Sequence, residues 1–112
     1  MIRFVLALLA LLALAPARAS QPADTGRLLD YRDVEAAGLP AQRLTVWLPP
    51  GYDRDTATRY PVLYMHDGHN LFDPALSNFN KVWAADRAML AASADGTVRP
   101  HIIVGVWAPG AD

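Results

Sequence analysis

The stretch Tyr60-Pro61-Val62-Leu63-Tyr64-Met65-His66-Asp67-Gly68-His69-Asn70-Leu71-Phe72-Asp73 decides the fold. Its first half is an apolar run of strand-forming residues with no polar alternation. Such a run reads as a strand buried on both faces, the habit of a parallel sheet covered by helices. The run stops at a polar turn containing glycine, and ligands of open α/β sheets bind outside the carboxyl ends of the strands. His66 to Asn70 therefore stand where chemistry is expected.

Upstream, Leu44, Val46 and Leu48 alternate with Arg43, Thr45 and Trp47, which predicts a strand with one face in the core. Leu28 to Val34 offers a weaker strand, and the Gly38-Leu39-Pro40 turn between the two implies an antiparallel pair. Ser20 to Gly26 reads as a loose, polar leader. Pro49-Pro50-Gly51-Tyr52 ends the second strand, because proline fixes φ and lacks an amide donor while glycine supplies a positive φ. Asp53 to Arg59 is a charged surface loop, and Pro61 takes the first strand position, where a missing ladder donor does least harm.

Downstream, Val82, Ala85, Met89 and Ala92 recur at helical spacing, with Trp83 and Leu90 widening the stripe into the core. Asn80 is the expected N-cap and Gly96 the expected C′ residue. His101 to Val106 gives a second buried strand, ended by Trp107-Ala108-Pro109-Gly110. The order is strand, strand, buried strand, helix, buried strand, and the last three form a βαβ unit. Two doubly buried strands need helices on both faces, yet one clear helix is present. The expectation is an α/β fold truncated after its fourth strand.

The 112 residues bound the chain to one small domain. Residues 1–19 carry Arg3, an apolar block from Phe4 to Ala15 and an Ala17-Arg18-Ala19 end, the three regions of a signal peptide. The apolar block is short of the roughly 20 residues of a membrane span. Cleavage before Ser20 leaves residues 20–112 as the mature domain and predicts a periplasmic or secreted protein with no membrane partner. Arg3 and Arg18 leave with the leader, so 10 basic residues fall to 8 against 11 acidic, a net of −3. That balance offers no basic face for nucleic acid. No cysteine is present, so core burial alone must hold the exported fold.

Taken together, Arg43 to Asp53, Arg59 to Asp73, Trp83 with Asp86, and Ile102 to Val106 resemble the secreted esterase branch of the α/β-hydrolases. That branch includes esterase D-like, feruloyl-esterase-like, siderophore-esterase-like and mycolyltransferase-like proteins, and the resemblance spans about residues 28–107. It implies an α/β-hydrolase-type three-layer sandwich acting on carboxylic esters, small or polysaccharide-linked, without a cofactor. Acyl transfer to another alcohol is a variant of the same chemistry.

In such enzymes the nucleophile stands on a G-x-S-x-G elbow, followed by Asp or Glu and His. Of Ser20, Ser77 and Ser93, none has glycine two positions away on both sides, so the triad is expected outside this sequence. The resemblance leaves one role here: an oxyanion-hole amide from the loop after the third strand. By that likeness the donor is the backbone N–H of His69, with Gly68 allowing close backbone approach.

His66 and Asp67 are candidates for substrate binding. His66 is otherwise a strand-end imidazole bonded to backbone, and Asp67 an Asx-turn carboxylate. Asp73-Pro74 is a turn signal. Trp47 and Trp107 either pack or line a sugar or aromatic pocket. His66, Asp67, His69 and Asp73 include metal-ligand types, but H-D-G-H lacks zincin spacing and no metal site is expected. Two further readings stay open, a non-catalytic carbohydrate- or siderophore-binding module and a metal-dependent hydrolase.

Overall fold

Two strands of ten residues each, β1 (Arg27–Ala36) and β2 (Leu39–Leu48), pair antiparallel across a two-residue turn. Gly38 supplies φ +77° there, and Leu39 and Pro40 already belong to β2, so the connection is tighter than the expected turn. The computed structural model describes residues 21–111, and the signal-peptide reading of residues 1–19 lies outside them. Among the described residues no helix is long and apolar enough to cross a membrane.

The chain continues through β3 (Val62–Met65), α1 (Ala85–Ala94) and β4 (Ile102–Val106). The sheet order is β1-β2-β4-β3, with β4 antiparallel to β2 and parallel to β3. Among the described residues this is a mixed four-stranded sheet with one α-helix, a partial α/β fold.

Register determines which side chains share a face. Thr45 opposes Gly105 and Trp47 opposes Ile103, while Leu63 and Met65 lie opposite Ile103 and Gly105 from the other side. Trp47, Ile103 and Leu71 are buried there, and Met65, Phe72, Ala85, Met89 and Leu90 pack around them. The helix therefore covers the Arg43-Thr45-Trp47 side of β2. The apolar alternation selects the other side, where Leu48 is buried beside half-buried Leu44 and Val46, so β2 buries a residue on each face. An indole buries more apolar surface than any of these aliphatic side chains.

The outer strand β3 departs from its expected double burial. Val62, Leu63 and Tyr64 are 42%, 39% and 71% exposed. The described helix lies on the opposite face from Val62 and Tyr64, so an apolar run records a strand's preference and not its coverage. Buried Ile103 and Gly105 alternate with half-buried Ile102, Val104 and Val106 on the inner strand β4.

The helix starts later than expected, at Ala85, and Asn80 is not its N-cap. Asn80 sits in a short 3-10 turn with φ 55°. The first helical amide is satisfied from a distance instead: Ala85 N–H donates to the Leu71 carbonyl at 3.0 Å, and Trp83 N–H to the Asn70 carbonyl at 2.8 Å. Trp83 lies before the helix and is 56% exposed, not part of the core. Gly96 ends the helix as expected, at φ +79° with its amide on the Ser93 carbonyl.

Nor is the segment before β1 loose. The Trp47 indole donates to the Thr25 carbonyl at 3.3 Å. The Asp24 carboxylate accepts from the Gly26 and Gly51 amides and from Arg54, and Arg27 forks onto Asp53.

Candidate functional site

Beyond Met65 the backbone reverses at Asp67, which adopts the left-handed region at φ 55°, ψ 48°. Aspartate tolerates this conformation better than most residues. A 3-10 turn follows over Gly68–Asn70, closed by Asn70 N–H on the Asp67 carbonyl at 2.8 Å.

Gly68 rests directly on β4. A Cβ there would lie 2.6 Å from Trp107 Cδ1 and 2.8 Å from the Gly105 carbonyl. Gly105 is constrained in return, since its own Cβ would meet Leu71 Cδ1 at 2.8 Å and the Gly68 Cα at 3.1 Å. Glycine is required at both positions because two backbones touch. At Gly68 this contact with the sheet is a reason separate from the expected approach of a substrate.

Neither the Gly68 nor the His69 amide donates a hydrogen bond among the described residues. The first amides of a helical turn have no acceptor within it, so they remain open to an external one.

The His69 side chain turns inward. It is 7% exposed, shares a 3.2 Å hydrogen bond between Nε2 and Asn78 Nδ2, and lies with its ring centroid 5.6 Å from that of Trp107. Its Nδ1 is buried without a partner. His66 and Asp67 are exposed. The His66 ring is not bonded to backbone, and the Asp67 carboxylate closes no Asx-turn, because the turn is held by main-chain bonds alone. Asp73 does form one, accepting from Ala75 N–H at 2.8 Å.

Trp107, expected to pack or to line a pocket, supports this loop together with residues that the sequence does not flag. Buried Trp107 donates from Nε1 to Thr45 Oγ1 at 2.9 Å, and the Arg43 guanidinium lies 3.6 Å over its ring. Arg43 is anchored in turn by a fork onto Asp30, at 2.9 and 3.1 Å. That hydrogen-bonded pairing holds the Asp30 carboxyl below the usual carboxylate range. The available signal was the polar side of β2, where Arg43 and Thr45 share a face with Trp47. A cavity of about 170 Å³ opens beside this support, lined by Leu28, Thr45, His69, Phe72 and Trp107. A second, of about 270 Å³, lies between Trp47, Pro49, Pro50 and the Met89-Leu90 side of α1. Both buried tryptophans thus pack, and each also borders a cavity.

The described serines are engaged elsewhere. Ser77 Oγ donates to the Pro74 carbonyl and Ser93 Oγ to Met89 Sδ. No serine–histidine hydrogen bond occurs among the described residues. His101 donates from Nδ1 to the Arg99 carbonyl at the amino end of β4, the opposite end of the sheet from His66. No three His, Asp or Glu side chains among the described residues gather as a ligand set.

A family described as "Putative esterase" matches residues 41–112. The chain belongs to that esterase family, a group of ester hydrolases in general. No curated protein and no solved structure matches it significantly.

Proposed function

We propose that the chain forms the oxyanion-binding part of an exported serine esterase of the α/β-hydrolase fold, acting on a small or polysaccharide-linked carboxylic ester. The observation that carries this reading is the pair of unpartnered Gly68 and His69 amides at the carboxyl end of β3. In the reaction a serine from outside residues 1–112 attacks the ester carbonyl while a histidine takes its proton. The carbonyl oxygen becomes an oxyanion and accepts the His69 N–H. Collapse expels the alcohol, and water releases the acid. One such donor is worth about 2.7–4 kcal/mol in the transition state.

His69→Pro removes the donor, whereas His69→Gln keeps it along with a side chain able to bond Asn78. In the protein as its gene expresses it, the proline variant should lose about 10²–10³ in kcat on p-nitrophenyl acetate with KM little changed. Matched circular dichroism and Tm guard against a distorted loop. A glutamine variant that folds normally and is already inactive would overturn the backbone assignment, and loss of activity in EDTA would turn the reading toward a metal-dependent hydrolase. Export is checked by intact mass: a mature chain starting at Ser20 agrees with cleavage, and one retaining Phe4 to Ala15 does not.

A further inference from the structure

We propose that Thr45, Arg43 and Trp107 form a brace that sets the height of the Gly68–His69 amides, with Thr45 as a positioning residue for the reaction; the inference rests on the function proposed above. The Trp107 ring is held by three independent contacts. Arg43 covers one face at 3.6 Å, Thr45 Oγ1 takes the indole proton at 2.9 Å, and Gly68 sits on the edge at Cδ1. Cδ1 and Nε1 are bonded neighbours on the pyrrole edge. The hydrogen bond to Thr45 therefore fixes the same edge that carries the loop.

Arg43 cannot slide over the ring, because its side chain is 11% exposed and its fork is locked onto Asp30 of the neighbouring strand. A planar guanidinium does this better than an ammonium, since its donors are pre-organised and its face stacks on aromatic rings. The line of contact runs Asp30, Arg43, Trp107, Gly68, from β1 through β2 and the residue that follows β4 to the loop. Every link is a packed or hydrogen-bonded pair. Nothing else among the described hydrogen bonds orients the indole, so without Thr45 Oγ1 the buried Nε1–H must turn to seek another acceptor. Gly68 has no side chain to keep its place when the edge moves.

Displacement of a catalytic donor by about 1 Å can cost up to 10²-fold in rate, and loss of one net hydrogen bond shifts a local equilibrium by about fivefold. Thr45→Val preserves shape and deletes the acceptor; Thr45→Ser restores it. In the protein as its gene expresses it, Thr45→Val should lower kcat on p-nitrophenyl acetate by about five- to a hundredfold with KM unchanged. It should also raise amide hydrogen exchange in the peptide covering residues 66–72, and Thr45→Ser should return both readings towards wild type. Arg43→Lys, which keeps charge but loses the fork, should repeat the kcat loss.

A Thr45→Val protein with unchanged kcat and unchanged exchange at 66–72 overturns the brace. So does a serine variant as impaired as the valine one, because that pattern reports a structural lesion and not a missing acceptor. A wild-type protein without ester turnover sinks the functional reading, and the effect of Thr45 on the reaction with it. The exchange measurement then decides the brace alone, with a rise in Thr45→Val reversed in Thr45→Ser supporting it and no rise refuting it.

Discussion

Gly26 and Trp47 meet so closely that no side chain fits between them: a Cβ on Gly26 would lie 2.7 Å from the indole Nε1, and closer still to the Leu48 carbonyl oxygen. Gly26 also holds φ +83°, a conformation that costs other residues about 1–2 kcal/mol. Overpacking adds about 1–3 kcal/mol. Gly26→Ala should therefore lose at least about 2 kcal/mol of stability, read from chemical denaturation. An alanine variant as stable as wild type would show that residues 24–26 do not dock as described.

The same corner predicts an acid-sensitive contribution. Hydrogen bonds from the Gly26 amide, then the Gly51 amide, and the Arg54 guanidinium hold the Asp24 carboxyl below its ordinary range. A lowered folded-state pKa gives stabilisation that is present above the unfolded value, about 3.9, and is lost as pH falls through the lower folded value. Asp24→Asn should lower Tm at pH 7, and the deficit should shrink below about pH 4. An equal deficit at pH 3 and pH 7 would assign the effect to packing. Asp53 is lowered in the same way by Arg27, so part of the acid limb persists in the variant.

Two tryptophans should respond oppositely to truncation. Trp47 is buried against Leu71 and Ile103, and Trp47→Ala should cost about 3–5 kcal/mol. Trp83 stands outside the helix stripe and more than half exposed, so Trp83→Ala should stay within about 0.5 kcal/mol. Thermal melts of both variants check the contrast, and a strongly destabilised Trp83→Ala would contradict the described position.

Residues 20–112 produced by themselves should associate. The outer strand β3 exposes Val62, Leu63 and Tyr64, and exposed apolar edges template pairing with other chains. Sedimentation should show oligomers that decline in Tyr64→Lys. A monomer with a cooperative melt, or association untouched by the lysine, would count against this.

The strands were legible because each carries its signal locally. Val62 to Met65 and Ile102 to Val106 are apolar runs between turn residues, and Gly96 announces a helix end by conformational freedom alone. What stayed hidden depends on partners far along the chain. Asn80 has a capping side chain, yet the helix starts where the Leu71 carbonyl meets Ala85, a contact no spacing rule contains. Likewise the alternation of Leu44, Val46 and Leu48 announced one buried face of β2, but the burial of Trp47 on the other face depends on Ile103 opposite it. The candidate loop could be found from its glycine and its place after a strand. Its support could not, because Asp30, Arg43, Thr45 and Trp107 come from three separate segments.

The strand order has a consequence for how the protein is made. Thr45 pairs with Gly105, so β2 waits 60 residues for its inner neighbour. At a synthesis rate of roughly 5–20 residues per second, that is about 3–12 s during which a completed hairpin presents an open edge to the nascent chain's surroundings. Non-local pairing of this kind is slow because loop closure must precede its reward. The Gly68 loop gains its seat only when Trp107 has emerged, 39 residues after the loop itself.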